Sequence, residues 1–404
     1  MRRAGKRRLG AALAALAMCP GFAAEGAAGE FELSGFVAGE ARGFPEDPQF
    51  QGQFSHFQPS GILEPELSYE SDDRAHRAKL TPFLRLDAQD SERTHADLRE
   101  GYWRYNADEW DVLIGVNTVF WGVTESRHLI NVVNQIDQVE DVDEEDFLGQ
   151  PMVNLGIQQN WGRLDLFVLP GFRERSFPGP EGRLRTELPV DEDAARYESG
   201  LKEAQVDGVL RYAHFLGDWD LGAYYFYGTG REPRLAPNAQ GNRLEPFYDL
   251  IHQGGLDLQY TSEAWLWKLE ALVREGQGET FGAAVGGFEY TLFQIFESDA
   301  DLGLLAEYLF DDRDADAPAT TGDNDVFLGS RLALNDVQDT SILAGGIVDA
   351  DDRSTALFIE AERRLGDRWK LEFESRLFVN VDAGNTLQAF EADDFIQLRL
   401  SFFF

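Results

Sequence analysis

Eighteen short runs of alternating apolar and polar residues, a basic-then-apolar leader, and a final run that ends on phenylalanine predict an all-β chain. The expected architecture is a transmembrane antiparallel up-and-down β-barrel of about eighteen strands, with sixteen as the alternative, long extracellular loops and short periplasmic turns. The clearest run is 394–404, DFIQLRLSFFF. Ile396, Leu398, Leu400, Phe402 and Phe404 are apolar at steps of two, Gln397, Arg399 and Ser401 between them are polar, and Phe403 alone breaks the pattern. Such a period gives a strand one greasy and one wet face. An aromatic final residue with nothing behind it to bury the last turn suits the closing strand of an outer-membrane barrel better than the edge of a soluble sandwich. Phe404 is then expected to be read by the barrel-assembly machinery.

Taken from the start, Arg2, Arg3, Lys6, Arg7 and Arg8 precede ten apolar residues, 9–18, and a small-residue stretch, 20–24. This is the pattern of a cleaved signal peptide, residues 1–24, and ten apolar residues are too few to remain as a membrane anchor. Cys19 follows Leu16, Ala17 and Met18; Met18 stands where a lipidated signal wants a small residue. Cleavage near Ala23 or Ala24 leaves 25–404 without cysteine, which excludes disulfides and thiolate metal sites. It also leaves 31 basic against 72 acidic residues, a net charge of −41, so nucleic acid is not an expected partner. No later segment approaches the ~18 apolar residues of a helical span. With no Pro/Ser-rich linker to divide it, 25–404 reads as one barrel exported to the Gram-negative outer membrane.

The strand-like runs lie near 31–42, 62–71, 78–89, 95–106, 109–119, 152–161, 163–172, 203–215, 218–228, 251–261, 264–275, 280–292, 300–311, 323–334, 339–349, 353–364, 368–381 and 392–404. Longer joints (43–61, 120–151, 173–202, 229–250, 312–322, 382–391) alternate with tight ones such as 106–108, Gly217 and 366–367, and long outer loops with short periplasmic turns are how such barrels are strung. Trp110, Trp161, Trp219, Trp265, Trp267 and Trp369 all fall beside tight joints, as an interfacial aromatic girdle would require. In 368–381, Leu371, Phe373, Leu377, Val379 and Val381 alternate with Lys370, Glu372, Glu374, Arg376 and Asn380. The charged set then lines a lumen. Several runs, 95–106 among them, alternate poorly, and their phase is not readable.

Five phrases carry a resemblance: PFLRLDAQDSERTHADLRE (82–100), VFWGVTESRHLINVVNQID (119–137), LGQPMVNL (148–155), FVLPGFRERSFPGPEGRLR (167–185) and AWLWKLEALVR (264–274). Together the chain resembles a family of uncharacterised proteobacterial outer-membrane, porin-like barrel proteins, WGVTES being the most specific stretch. The resemblance implies a barrel and a location. It carries no substrate and no catalytic residue to transfer, so function is argued from the loops.

The joint 120–151 is the third outer loop, the position that folds into the lumen in general porins. Leu129, Ile130, Val132, Val133, Ile136 and Val139 need burial, and Ser126 suits the cap of a short helix. Its second half packs Glu140, Asp141, Asp143, Glu144, Glu145 and Asp146 into seven residues: a solvated run, or an acidic constriction. A calcium site is a further reading, although the spacing lacks the glycine turn of an EF-hand loop. The next long joint holds Arg173, Arg175, Arg183 and Arg185 around a Pro-Gly turn, able to grip an anion bidentately or to pair with Glu174, Glu181, Glu187 or lipopolysaccharide phosphate. Glu125, Asp137, Glu140, Asp141, Asp143, Glu145, Arg173, Arg175, Arg183 and Arg185 are therefore the candidate constriction or ligand-binding residues. If the two loops face each other, their opposite charges set a field across the lumen.

No metal spacing surrounds the six histidines, and there is no nucleophile elbow or phosphate loop, so no catalytic residue and no cofactor is assigned. The favoured function is a porin-like channel for small polar or charged solutes, in contact with outer-membrane lipid and lipopolysaccharide. An outer-membrane hydrolase and a closed barrel acting as adhesin or assembly partner are the alternatives.

Overall fold

The computed structural model describes residues 29–404; the expected leader, 1–24, lies outside them. Eighteen strands form one sheet: Gly29–Gly43, Phe57–Ser71, His76–Asp87, His95–Asn106, Trp110–Asn117, Gln150–Gln159, Gly162–Pro170, Val206–Leu216, Trp219–Thr229, Leu250–Ser262, Trp265–Glu275, Phe281–Leu292, Asp301–Asp311, Asn324–Ala333, Ser341–Asp349, Thr355–Leu365, Trp369–Val379 and Phe395–Phe403. Each pairs antiparallel with its sequence neighbours. The last returns to the first, Phe36 opposite Phe403 and Gly43 opposite Ile396, so the barrel is closed and has no free edge to satisfy in lipid. The count is eighteen, not sixteen, and every expected run coincides with a strand.

The alternation sorts side chains by solvent. In Phe395–Phe403, Ile396, Leu398 and Leu400 are exposed on the outside, whereas Gln397 and Ser401 are buried inside. Trp369, Leu371, Leu377 and Val379 likewise face out. Trp110, Trp161, Trp219, Trp265, Trp267 and Trp369 are all exposed beside the turns at one rim, in ring contact with Tyr105, Tyr212, Tyr260, Phe288, Tyr290 and Phe402. Trp103 joins them by stacking near Tyr105. That is an aromatic belt at one membrane interface.

The unreadable phase of 95–106 has a physical cause. The register with His76–Asp87 shifts between Thr81 and Pro82, so Pro82 faces Leu98 while Thr81 faces Glu100, leaving Arg99 as the extra residue of a β-bulge. Asp97 and Arg99 point inward before it and Glu100 after it, so a strict period of two fails. Short turns close the periplasmic rim; Gly217, at φ +63°, makes one of them, a conformation side chains avoid. Outside, Arg196–Tyr197, Arg234–Pro237 and Leu244–Tyr248 form a small sheet that ties two loops together.

Candidate pore constriction

The third outer loop runs over 118–149, between Trp110–Asn117 and Gln150–Gln159. Its neck is drawn shut by Asn134, whose Nδ2 donates to the carbonyls of Asn117 and Leu148 while its Oδ1 accepts from Val119 N. Ile130, Val132 and Val133 are buried against the inward faces of Leu113, Met152, Phe167, Tyr224 and Phe226, a burial worth roughly 1.5–3 kcal/mol per side chain. Gly149 passes so close to the neighbouring strand that a Cβ there would sit 2.0 Å from Leu98 O. The LGQPM stretch is thus the return of this loop to the wall.

The WGVTES stretch is its far anchor. Glu270 accepts hydrogen bonds from Val123 N (2.6 Å), Thr124 N (3.0 Å), Thr124 Oγ1 (2.7 Å) and Ile130 N (3.3 Å). Glu307 accepts from Glu125 N (2.8 Å), Ser126 N (2.8 Å) and Ser126 Oγ (2.6 Å). Ser126 therefore caps no helix: its donors, and those of its neighbours, are taken by two buried wall carboxylates, and 118–149 holds no helix. Glu125 reaches Arg331 at 2.6 Å and Lys268 at 3.5 Å.

The second half docks on an arc of wall arginines. Arg85, fully buried, holds Glu140 through Nε and Nη2 and Glu40 through Nη1 at 2.6 Å. Arg42 meets Asp141 at 2.6 Å, Arg376 meets Asp143 at 2.8 Å, and Arg99 meets Asp137 at 2.7 Å, with His95 and Ser176 on the same carboxylate. Arg93 donates to the carbonyls of Val139 and Glu140, and Arg399 completes the arc on Glu40. Glu145 lies 3.5 Å from His128. These wall arginines are the residues sequence reasoning missed. Their signal was present, since Arg42, Arg85, Arg376 and Arg399 occupy polar positions of alternating strands, but nothing local says what they meet.

The four loop arginines separate. Arg175 contacts Glu144 at 3.0 Å, and Arg173 contacts Asp97 at 2.8 Å and the Gly149 carbonyl. Arg183 instead binds Asp393 and the carbonyls of Ser55 and Ala392, under the ring of Phe44. Arg185 binds the carbonyls of Thr186, Glu187 and Pro180. The condition that the two loops face each other is met by Arg175 alone, on Glu144: a Pro-Gly turn carries Arg183 and Arg185 away to pin outer loops together. The cross-lumen partners come from the wall.

What the loop leaves open is a cavity of about 400 Å³ on its periplasmic side, against Ser341–Asp349, Thr355–Leu365 and Trp369–Val379. Nine carboxylates line it, Glu140, Asp141, Asp143, Glu145, Asp146, Glu360, Glu362, Glu372 and Glu374, against the guanidinium groups of Arg331 and Arg399. Arg376 is shared by Asp141, Asp143, Glu360 and Glu374, Arg42 also holds Asp141, Arg85 holds Glu140, and Lys370 holds Glu362 and Glu372, so the carboxylates still outnumber their cations. Among the described residues Asp146 has no ion-pair partner; its side chain is exposed to the cavity, and desolvation by the enclosing wall, with Glu140 beside it, pushes its carboxyl up to about 7. Burial and then Asp141 raise Asp143 well above the carboxylate range. Asp137 is the opposite case: burial opposes ionisation, but Arg99 and His95 hold it well below that range. Burial works against the His128 cation too, yet Glu145 and Glu270 outweigh it and bring His128 to about 9.

Among the described residues, two groups have ligand atoms close enough together for a metal, within 4.8 Å: His95, Asp137 and Glu140, and Asp141, Asp143 and Glu374. Both already face guanidinium groups, Arg85 and Arg99 for the first and Arg42 and Arg376 for the second, which is a poor setting for a further cation.

No family model matches this chain, and no curated protein sequence matches it. Among solved structures it is similar to OpdQ of Pseudomonas aeruginosa, at 13% identity over 93% of this chain and 98% of that one, with a TM-score of 0.51. It also matches the outer membrane channel DcaP of Acinetobacter baumannii (10% identity, 93% and 97% covered, TM-score 0.45) and a triple mutant of the Rhodopseudomonas blastica porin (12%, 93% and 100%, TM-score 0.46). At such identities the likeness concerns the barrel fold alone.

Proposed function

We propose that this chain is a porin-like outer-membrane channel through which small polar or charged solutes diffuse, with a preference for cations. The observation that carries the reading is the closed barrel crossed by 118–149, latched on one wall by Glu270 and Glu307 and on the other by the arginine arc, beside a cavity lined by nine carboxylates. A loop docked at both ends narrows a lumen without filling it, and unbalanced carboxylates at the narrow part favour cations. The apolar outer face and the tryptophan belt support a place in the outer membrane, with lipid and lipopolysaccharide as the surrounding partners. The finer resemblance belongs to the same reading: WGVTES is the latch and LGQPM the return of the constricting loop.

The test is reconstitution. Folded in detergent, the protein is expected to be β-rich and to migrate differently before and after boiling; in planar bilayers it is expected to give discrete conductance steps and a cation-signed reversal potential in a salt gradient. Silence from the wild type and from a chain lacking 125–146 would favour a closed adhesin or assembly barrel instead. Silence with hydrolysis of lipid or ester substrates would favour the enzyme.

A further inference from the structure

On the other side of the loop lies a second, smaller space of about 40 Å³, between 127–147 and the roots of the neighbouring outer loops. Its chemistry is the reverse of the acidic cavity. Five arginines, among them Arg127, Arg175, Arg274 and Arg313, line it against three carboxylates, Asp143, Glu144 and Glu232; Arg274 meets Glu232 at 2.9 Å, Arg313 at 3.0 Å and Arg127 at 4.0 Å. Among the described residues, two buried donors lining it have no acceptor. Arg175 is only 7% exposed, and its Nη1 reaches Glu144, but its Nη2 bonds to nothing. Asn131 has its Oδ1 committed to Trp121 N, which orients the amide, and its Nδ2 is likewise without a partner. A buried donor without an acceptor is destabilising, because it has given up its hydrogen bond to water and gained none in return. Two of them on one small space call for an acceptor inside it.

We propose that this crevice is an anion subsite that takes the carboxylate head of a solute. A volume of about 40 Å³ has room for roughly three water-sized groups, which suits a carboxylate rather than a whole solute. Planar guanidinium groups bind that group through paired, charge-assisted hydrogen bonds. Asp143 lines both this crevice and the acidic cavity, so the two spaces meet at one residue. A solute with its carboxylate among the arginines therefore presents its other end to carboxylates. The cargo class this selects is dipolar, a carboxylate joined to an ammonium. That last step rests on the channel reading; the anion subsite does not.

The experiment titrates sodium acetate, against sodium chloride at matched ionic strength, into the detergent-folded full chain and follows heat. Saturable acetate binding is expected, weakened about tenfold or more by Arg175→Gln through loss of one charge-assisted hydrogen bond. Asn131→Asp keeps the acceptor for Trp121 N, removes the orphan donor and adds a negative charge, and is expected to abolish binding even if Arg175→Gln disturbs the loop. Acetate heat that is absent up to decimolar concentration, or equal in all three proteins, overturns the subsite. In liposome swelling, glycine is expected to enter faster than uncharged glycolamide, with the advantage lost in Asn131→Asp; equal rates in the wild type overturn the dipolar cargo. Acetate binding without conductance leaves the subsite standing and removes the channel, whereas conductance without acetate binding does the reverse.

Discussion

The latch is the sharpest handle on whether 118–149 sets the width of the lumen. Changing Glu270 and Glu307 together to alanine removes seven hydrogen bonds that hold residues 123–130 to the wall and leaves the ion pairs of Glu125 with Arg331 and Lys268. Both carboxylates are almost fully buried, so water competes little for them, and a hydrogen bond to a charged group contributes about 1.5 kcal/mol at the low end. Seven such bonds sum to roughly 10 kcal/mol. Even half of that is close to the ~5.5 kcal/mol that carries a two-state equilibrium from 1:99 to 99:1. Ile130, Val132 and Val133 keep their burial, worth roughly 1.5–3 kcal/mol each, so the root of the loop stays docked while its tip detaches. In planar bilayers the double variant is therefore expected to show larger conductance steps than the wild type, though smaller than those of a chain lacking 125–146. Its gel mobility shift on boiling should be retained, because the strands themselves are untouched. Wild-type conductance in a variant that folds normally would refute the argument: the tip of the loop would not be what narrows the path.

Other perturbations read the charges. Asp141→Asn with Asp143→Asn releases Arg42 and Arg376 into the acidic cavity and is expected to shift the reversal potential toward anions; Arg173→Ala with Arg175→Ala frees Asp97 and Glu144 and should shift it modestly toward cations. Asp146, at about 7, gains charge as pH rises from 6 to 8, so cation preference should increase over that range and flatten in Asp146→Asn. His128, held at about 9, links 118–149 to Glu270 and back to Glu145. A raised histidine contributes stability that is fully present below its ordinary value near 6.5 and is lost as pH passes 9. Conductance is accordingly expected to rise above pH 9 in the wild type and to be pH-independent there in His128→Gln.

By itself the sequence determined where the strands lie and, wherever the alternation is clean, which face meets lipid, because a pleated strand has a period of two and the membrane makes that period visible in composition; the choice of eighteen over sixteen and the phase of 95–106 waited for the sheet itself. Ile396, Leu398 and Leu400 against Gln397, Arg399 and Ser401 needed no tertiary information, and neither did the tryptophans beside the tight turns. The place of the constricting loop was legible too, from apolar residues in a long joint that had to be buried somewhere. The partners were not. Arg399 meets Glu40 across 359 residues of chain, Arg42 meets Asp141 across 99, and Glu307 meets Ser126 across 181. Closing the barrel brings its first and last strands together, and folding a loop through the middle sets its backbone donors against walls that alternation can orient inward but cannot match to a partner. The same holds for Arg183 and Arg185, which look like Arg173 and Arg175 in sequence but are turned toward Asp393 and loop carbonyls, and for Arg99, where one extra residue in a ladder reverses the phase. A side chain's direction is a local property of the strand. What it meets in the lumen depends on the closure of the whole sheet.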